Sequence, residues 1–125
     1  MTEADADNVN IDNVSVDKVN EKLSLGGNID LVGFKQVSMS EVVVVKKLVG
    51  SYTRKIQQLC NNFQGVSVRL KEIHKIDNNA KNEVHVKAID DGKVFTSEVV
   101  DTNLFVALDS ALKKVLAEVT SHNRK

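Results

Sequence analysis

Apolar residues alternate with polar ones in three stretches of this chain and recur at three- to four-residue steps in two others. Val66, Val68 and Leu70 alternate with Ser67, Arg69 and Lys71, the period of a strand with one buried face. Val84, Val86 and Ala88 alternate in the same way with Glu83, His85 and Lys87. Phe95, Ser97 and Val99 are read as inward, with Thr96 and Glu98 outward. Between the last two runs stands Asp91-Gly92, a dipeptide suited to the left-handed backbone of a type I′ hairpin turn. The stretch before them, Asp77-Asn78-Asn79-Ala80-Lys81, is polar and reads as a loop.

The helical period appears twice. Val45, Leu48, Val49, Tyr52, Ile56, Leu59 and Phe63 share one face. Ser38-Met39-Ser40-Glu41 has capping-box spacing just ahead of that run. Four consecutive valines, Val42 to Val45, oppose a helix because β-branched side chains lose rotamer freedom there. The cap and the longer periodicity outweigh them, and Gly65, after Asn61 and Asn62, is expected to close the helix. The second helical stripe is Leu104, Leu108, Ala111, Val115 and Val119, with Asp101 or Thr102 as its cap. Ahead of the first helix, Ile29 to Val37 is short and mostly apolar, a strand with an irregularity at Gly33.

The order is therefore β-α-β-β-β-α, an α+β protein. A strand, helix and strand in sequence form a right-handed crossover unit. Because only one side of each later strand is apolar, both helices should share one face of a four-stranded mixed sheet, giving a two-layer sandwich. This body is expected to span residues 28–125. Residues 1–27 hold Val9, Ile11, Val14, Val16, Val19 and Leu23 in neither period and are expected to be a disordered arm.

Charge sharpens that division. The formal net charge is zero, with 17 basic and 17 acidic residues. Residues 1–30 carry seven of the acids against Lys18 and Lys22, leaving fifteen Lys/Arg against ten acids in residues 31–125. An acidic arm is joined to a basic body. It serves either as a solubilising tail or as an element that folds back and competes with a polyanion. No apolar run approaches the ~20 residues that cross a bilayer, and the acidic N-terminus is unlike a secretory or transit segment. The lone Cys60 forms no internal disulfide. A cytoplasmic location is expected, without membrane or small-molecule partners.

The basic residues fall on outward helix positions. The first helix offers Lys46, Lys47, Arg54 and Lys55; the second offers Lys113 and Lys114, followed by Arg124 and Lys125. Side by side on one layer, these would merge into a field for phosphates, whose recognition is independent of sequence. Composition alone favours the plainer reading of solvated helix faces. The exposed sheet face lacks the aromatic pairs that stack unpaired bases, so shape and phosphate recognition of folded RNA is the better form of the nucleic-acid reading. Catalysis finds little support. His74, His85 and His122 fall on different elements without metal-ligand spacing, Cys60 has no evident activating base, and no glycine-rich phosphate loop is present. No cofactor is expected.

Over residues 29–125 the chain resembles the ribosome hibernation-promoting factors, also called ribosome-associated inhibitors. The resemblance rests on the order and spacing of four features. These are the opening Ile29-Asp-Leu-Val-Gly-Phe-Lys35, the long helix ending in Phe63, the three-strand meander, and Asp101-x-x-Leu-Phe-x-Ala-Leu-Asp109-x-x-Leu-x-Lys114. It implies a fold related in shape to double-stranded-RNA-binding domains. It also implies docking on small-subunit rRNA in the mRNA and tRNA channel, which silences translation in stress or stationary phase. Lys114 then matches the family's helix lysine, Lys35 the basic residue after the strand glycine, and Lys46, Lys47, Arg54 and Lys55 its basic first-helix region. Lys113 stands where the family usually has an acid, and the acidic arm is atypical. The second domain that pairs ribosomes in longer members is not expected here. A protein-interaction module or a general binder of structured RNA on the same fold is the alternative.

Overall fold

A computed structural model describes residues 15–17, 22–73 and 80–123, with side chains from residue 25 onward. Its elements are β1 (Ser15–Asp17), β2 (Lys22–Ser24), β3 (Ile29–Val32), α1 (Met39–Leu59), β4 (Phe63–Ile73), β5 (Lys81–Asp90), β6 (Lys93–Asp101) and α2 (Leu104–Asn123). The strands lie in the sheet in chain order. Only β3 and β4 run parallel, with Leu31 opposite Val68, and α1 supplies the crossover that parallel pairing requires. All other neighbours are antiparallel.

The expected β-α-β-β-β-α body is present as β3 to α2. Its four strands, β3 to β6, form the expected mixed sheet, and among the described residues β1 and β2 continue that sheet beyond β3 to make six, with Lys22 to Ser24 paired to Asp30 to Val32. Both lie in the stretch expected to be a disordered arm. Three-residue strands are too short to show a period; β2 is defined by its pairing with the outer edge of β3, and β1 by its pairing with β2. The remainder of the acidic arm, His74, the loop residues Asp77 to Asn79, and Arg124 and Lys125 lie outside the described residues.

One core lies between the sheet and both helices. Leu31, Val66, Val68, Val84, Val86, Ala88 and Phe95 rise from the strands to meet Val45, Val49, Tyr52 and Ile56 of α1 and Leu108, Ala111, Leu112, Val115 and Val119 of α2. Gly33 ends β3 at φ +86°, and a Cβ there would stand 2.2 Å from the Leu70 carbonyl oxygen. Only glycine allows the chain to turn that close to β4.

The caps explain where the helices sit. The Ser38 hydroxyl donates to a Glu41 carboxylate oxygen at 2.8 Å and accepts from the Glu41 N–H at 3.3 Å. This holds the first turn against the valine run, of which Val42 and Val45 are buried and Val43 and Val44 exposed. At the other end α1 stops at Leu59 with Cys60 as cap, so Gly65 does not close it. Phe63 belongs to β4, and Gly65 lies at a register irregularity against β5. The cap of α2 is Asn103, whose side chain accepts from the N–H groups of Phe105 (2.9 Å) and Val106 (3.1 Å). Asp101 instead accepts from the Asn103 N–H at 2.8 Å, one step upstream.

Candidate nucleic-acid interface

The helices pack directly on each other, and their seam is polar at its outer rim. Tyr52 of α1 donates its hydroxyl to an Asp109 carboxylate oxygen of α2 at 2.7 Å. The Lys113 ammonium lies 3.3 Å from the other carboxylate oxygen, and the Lys55 ammonium stands 5.4 Å from the centre of the Tyr52 ring. A carboxylate is thus flanked by one cation from each helix. The Tyr52 hydrogen bond, together with Lys113 and Lys55, holds the Asp109 carboxyl below its usual range against the opposing effect of burial. Burial, then the hydrogen bond and charge of Asp109, pushes the Tyr52 phenol up to about 12.

This seam orders the other basic residues. With ~3.6 residues per turn, Lys47 and Arg54 fall two turns apart on the crest of α1, and both are exposed. Lys55 and Lys113 border the seam, also exposed. Lys46 is half-buried on the flank of α1 turned away from α2, and Lys114 is exposed on the flank of α2 turned away from α1. Lys35 is exposed in the turn after Gly33, where the Val37 N–H reaches the Phe34 carbonyl at 3.1 Å. The structure brings Lys47, Arg54, Lys55 and Lys113 to one outer surface and sets Lys46 and Lys114 at its two margins. Asp109 is the residue at this surface to which sequence reading assigned no role. Its spacing to Lys113 is the ion-pair spacing of a helix and is legible, whereas its bond to Tyr52 spans 57 residues.

The opposite face of the sheet carries Ser67, Arg69, Lys71, His85, Lys87, Thr96 and Glu98. Cross-strand register brings Glu83, His85 and Glu98 together, their ligand-capable atoms within 4.8 Å of one another. One ring nitrogen of His85 meets Glu83, and the other lies 3.8 Å from Glu98. Arg69 and Lys71 stand opposite His85 and Glu83 on β4, so this trio sits within a mixed-charge face. An open groove of about 490 Å³ lies on the same side, lined by Gly27, Asn28, Asp30, Gln64, Ser67 and Lys87 among others. Neither His85 nor Cys60 lines it. Burial, with the nearby Asp90 carboxylate, pushes the Cys60 thiol up to about 11, so it is not a thiolate at neutral pH. No helix among the described residues is long and apolar enough to cross a membrane.

No protein-family profile matches this chain, and no curated protein does. Among solved structures, the N-terminal domain of Thermus thermophilus Protein Y matches with a TM-score of 0.44. It has 15% identity over 63% of this chain and 82% of that one.

Proposed function

We propose that the outer surface of the two helices binds the phosphate backbone of folded RNA, and that the RNA is that of the small ribosomal subunit. Bound there, the protein acts as a translation silencer by occupying the mRNA and tRNA channel. The observation that carries the RNA part is the side-by-side packing of α1 and α2, with Lys47 and Arg54 exposed on the crest of α1 and Lys55 and Lys113 beside Asp109 at the seam. A rigid convex layer with several long cationic side chains fits a phosphate lattice without reading bases. The ribosomal part rests on the sequence resemblance, in particular the run from Asp101 to Lys114. Lys35, Lys46 and Lys114 extend the contact at the margins. Occlusion needs no catalytic group: the domain's volume excludes tRNA while phosphate contacts hold it in place.

Co-sedimentation with purified small subunits from about 50 to 300 mM salt tests this, because each phosphate contact adds roughly 0.7–0.9 to the log–log slope. The Lys47→Glu/Arg54→Glu variant is expected to bind at least about tenfold more weakly and to lower that slope. Binding by wild type should prevent tRNA from binding the same subunits. Salt-independent binding, or binding unchanged by the double reversal, would overturn the RNA surface. Salt-dependent binding to unrelated duplex RNA as tight as to small subunits would leave the surface and remove the ribosomal assignment.

A further inference from the structure

Among the described residues, strand β6 forms one border of the sheet and is nine residues long, against three for β1 at the other border. Sheets blunt such borders with bulges, prolines or short strands. β6 has none of these: it pairs with β5 from Lys93 to Asp101 without a register shift, and the chain contains no proline. The tight turn at Asp91-Gly92 makes Asp90 and Lys93 the closing hydrogen-bonded pair. By alternation, Lys93, Phe95, Ser97, Val99 and Asp101 bond to β5, and the N–H and C=O groups of Val94, Thr96, Glu98 and Val100 point away from the sheet. Val94 and Val100 are 52% and 45% exposed, one near each end of that border.

We propose that β6 pairs antiparallel with β6 of a second copy of this chain, about a two-fold axis through Ser97. The strand Lys93-Val-Phe-Thr-Ser97-Glu-Val-Val-Asp101 complements itself in that register. Lys93 meets the partner's Asp101, Val94 meets the partner's Val100, Phe95 meets the partner's Val99, and Thr96 meets the partner's Glu98. The outward backbone groups fall on residues of one parity, and this register sets them opposite each other as hydrogen-bonded pairs. Moving the axis to Glu98 would oppose two carboxylates, and moving it to Thr96 would break both the charge pair and the valine pair. An axis normal to the sheet keeps both helical layers on one side. The flank of α2 turned away from α1 then faces the axis, and it carries Lys114 and Glu118, opposite charges one turn apart. The dimer is independent of the ribosomal reading and is tested without ribosomes.

Sedimentation equilibrium or light scattering from about 5 to 500 µM should show the mass rising from 13.8 kDa toward twice that value. Over the same range, the amides of Val94, Thr96, Glu98 and Val100 should gain protection from hydrogen exchange. Lys93→Glu alone and Asp101→Lys alone should each weaken the dimer at least about tenfold, because like charges then oppose twice per interface. An equimolar mixture of the two should dimerise again, both pairs having become opposite. Val94→Lys and Val100→Lys are second breaking variants that leave the Asp101 turn intact. A chain monomeric throughout, a dimer indifferent to all four substitutions, or a dimer whose four outward amides stay unprotected would overturn the proposal.

Discussion

Replacing Asp90 should destabilise this protein more than removing any other single acid. Its carboxylate is 4% exposed and accepts from the Asn62 N–H at 2.7 Å, the Asn61 N–H at 3.2 Å and the Asn123 side-chain amide at 3.3 Å. Asn123 also donates to the Leu59 carbonyl at 2.7 Å. One side chain therefore joins the end of β5 to the exit of α1 and the last turn of α2. Hydrogen bonds to a charged group are worth about 1.5–3 kcal/mol each. The exposed positions of Asn61 and Asn62 let water replace part of that, so Asp90→Ala should cost about 3–4 kcal/mol. Against a total of about 5–15 kcal/mol for a domain of this size, that is a large fraction. Urea unfolding followed by far-UV circular dichroism at pH 7 measures it as a lower midpoint at unchanged slope.

The pH dependence gives a second reading of the same group. The Asn62 N–H above all, with Asn123 and Asn61 adding, holds the Asp90 carboxyl below its usual range despite burial. A depressed folded value stabilises the protein above the unfolded value of about 3.9 and loses that contribution as pH falls through the folded value. The stability gap between wild type and Asp90→Asn should therefore be full at pH 7 and narrow below about pH 4. An Asp90→Ala protein within about 0.5 kcal/mol of wild type, or a gap to Asp90→Asn that does not change with pH, would refute this account.

Other substitutions test other joints of the fold. Gly33→Ala puts a Cβ 2.2 Å from the Leu70 oxygen at a positive φ, so a loss of about 2–4 kcal/mol is expected in the same denaturation assay. Thr53→Val removes a buried hydroxyl oxygen that has no hydrogen-bond partner in the structure, and should raise stability by about 0.5–1.5 kcal/mol, read as a higher melting temperature. Tyr52→Phe removes the bond across the helix seam while Asp109 keeps Lys113, and should cost about 1–2 kcal/mol. Because the Asp109 carboxyl is held low, that cost should shrink as pH falls through its folded value.

Much of the fold was legible because the signals are local. The Ser38–Glu41 cap, the Asp91-Gly92 turn with both residues at positive φ, and the alternation in β4 to β6 all join residues within a few positions. Where several local signals competed, the choice failed. Asp101, Thr102 and Asn103 can each cap a helix; Asp101 and Asn103 act in tandem, and only the geometry shows Asn103 to be the cap. Phe63 fits the helical period of α1, but the tether from Asp90 to Asn61 and Asn62 turns the chain before it and places it in β4. The two short strands before β3 carry no readable period and exist through pairing alone.

The basic positions of the helices could be named from their outward spacing, but not which of them share a surface. That depended on the rotation of α1 and α2 about their axes, set by the bond from Tyr52 to Asp109 and by the common core. The chain by itself determined the element order from β3 to α2, most of the buried faces and the excess of positive charge in its body, since each follows from neighbouring residues. Only tertiary structure decided that Lys55 and Lys113 stand on either side of one carboxylate, that Asp90 binds three elements, and that β6 is a border among the described strands. The first two outcomes join groups between 28 and 64 residues apart in the hydrogen-bond network, beyond the reach of any helix or strand period.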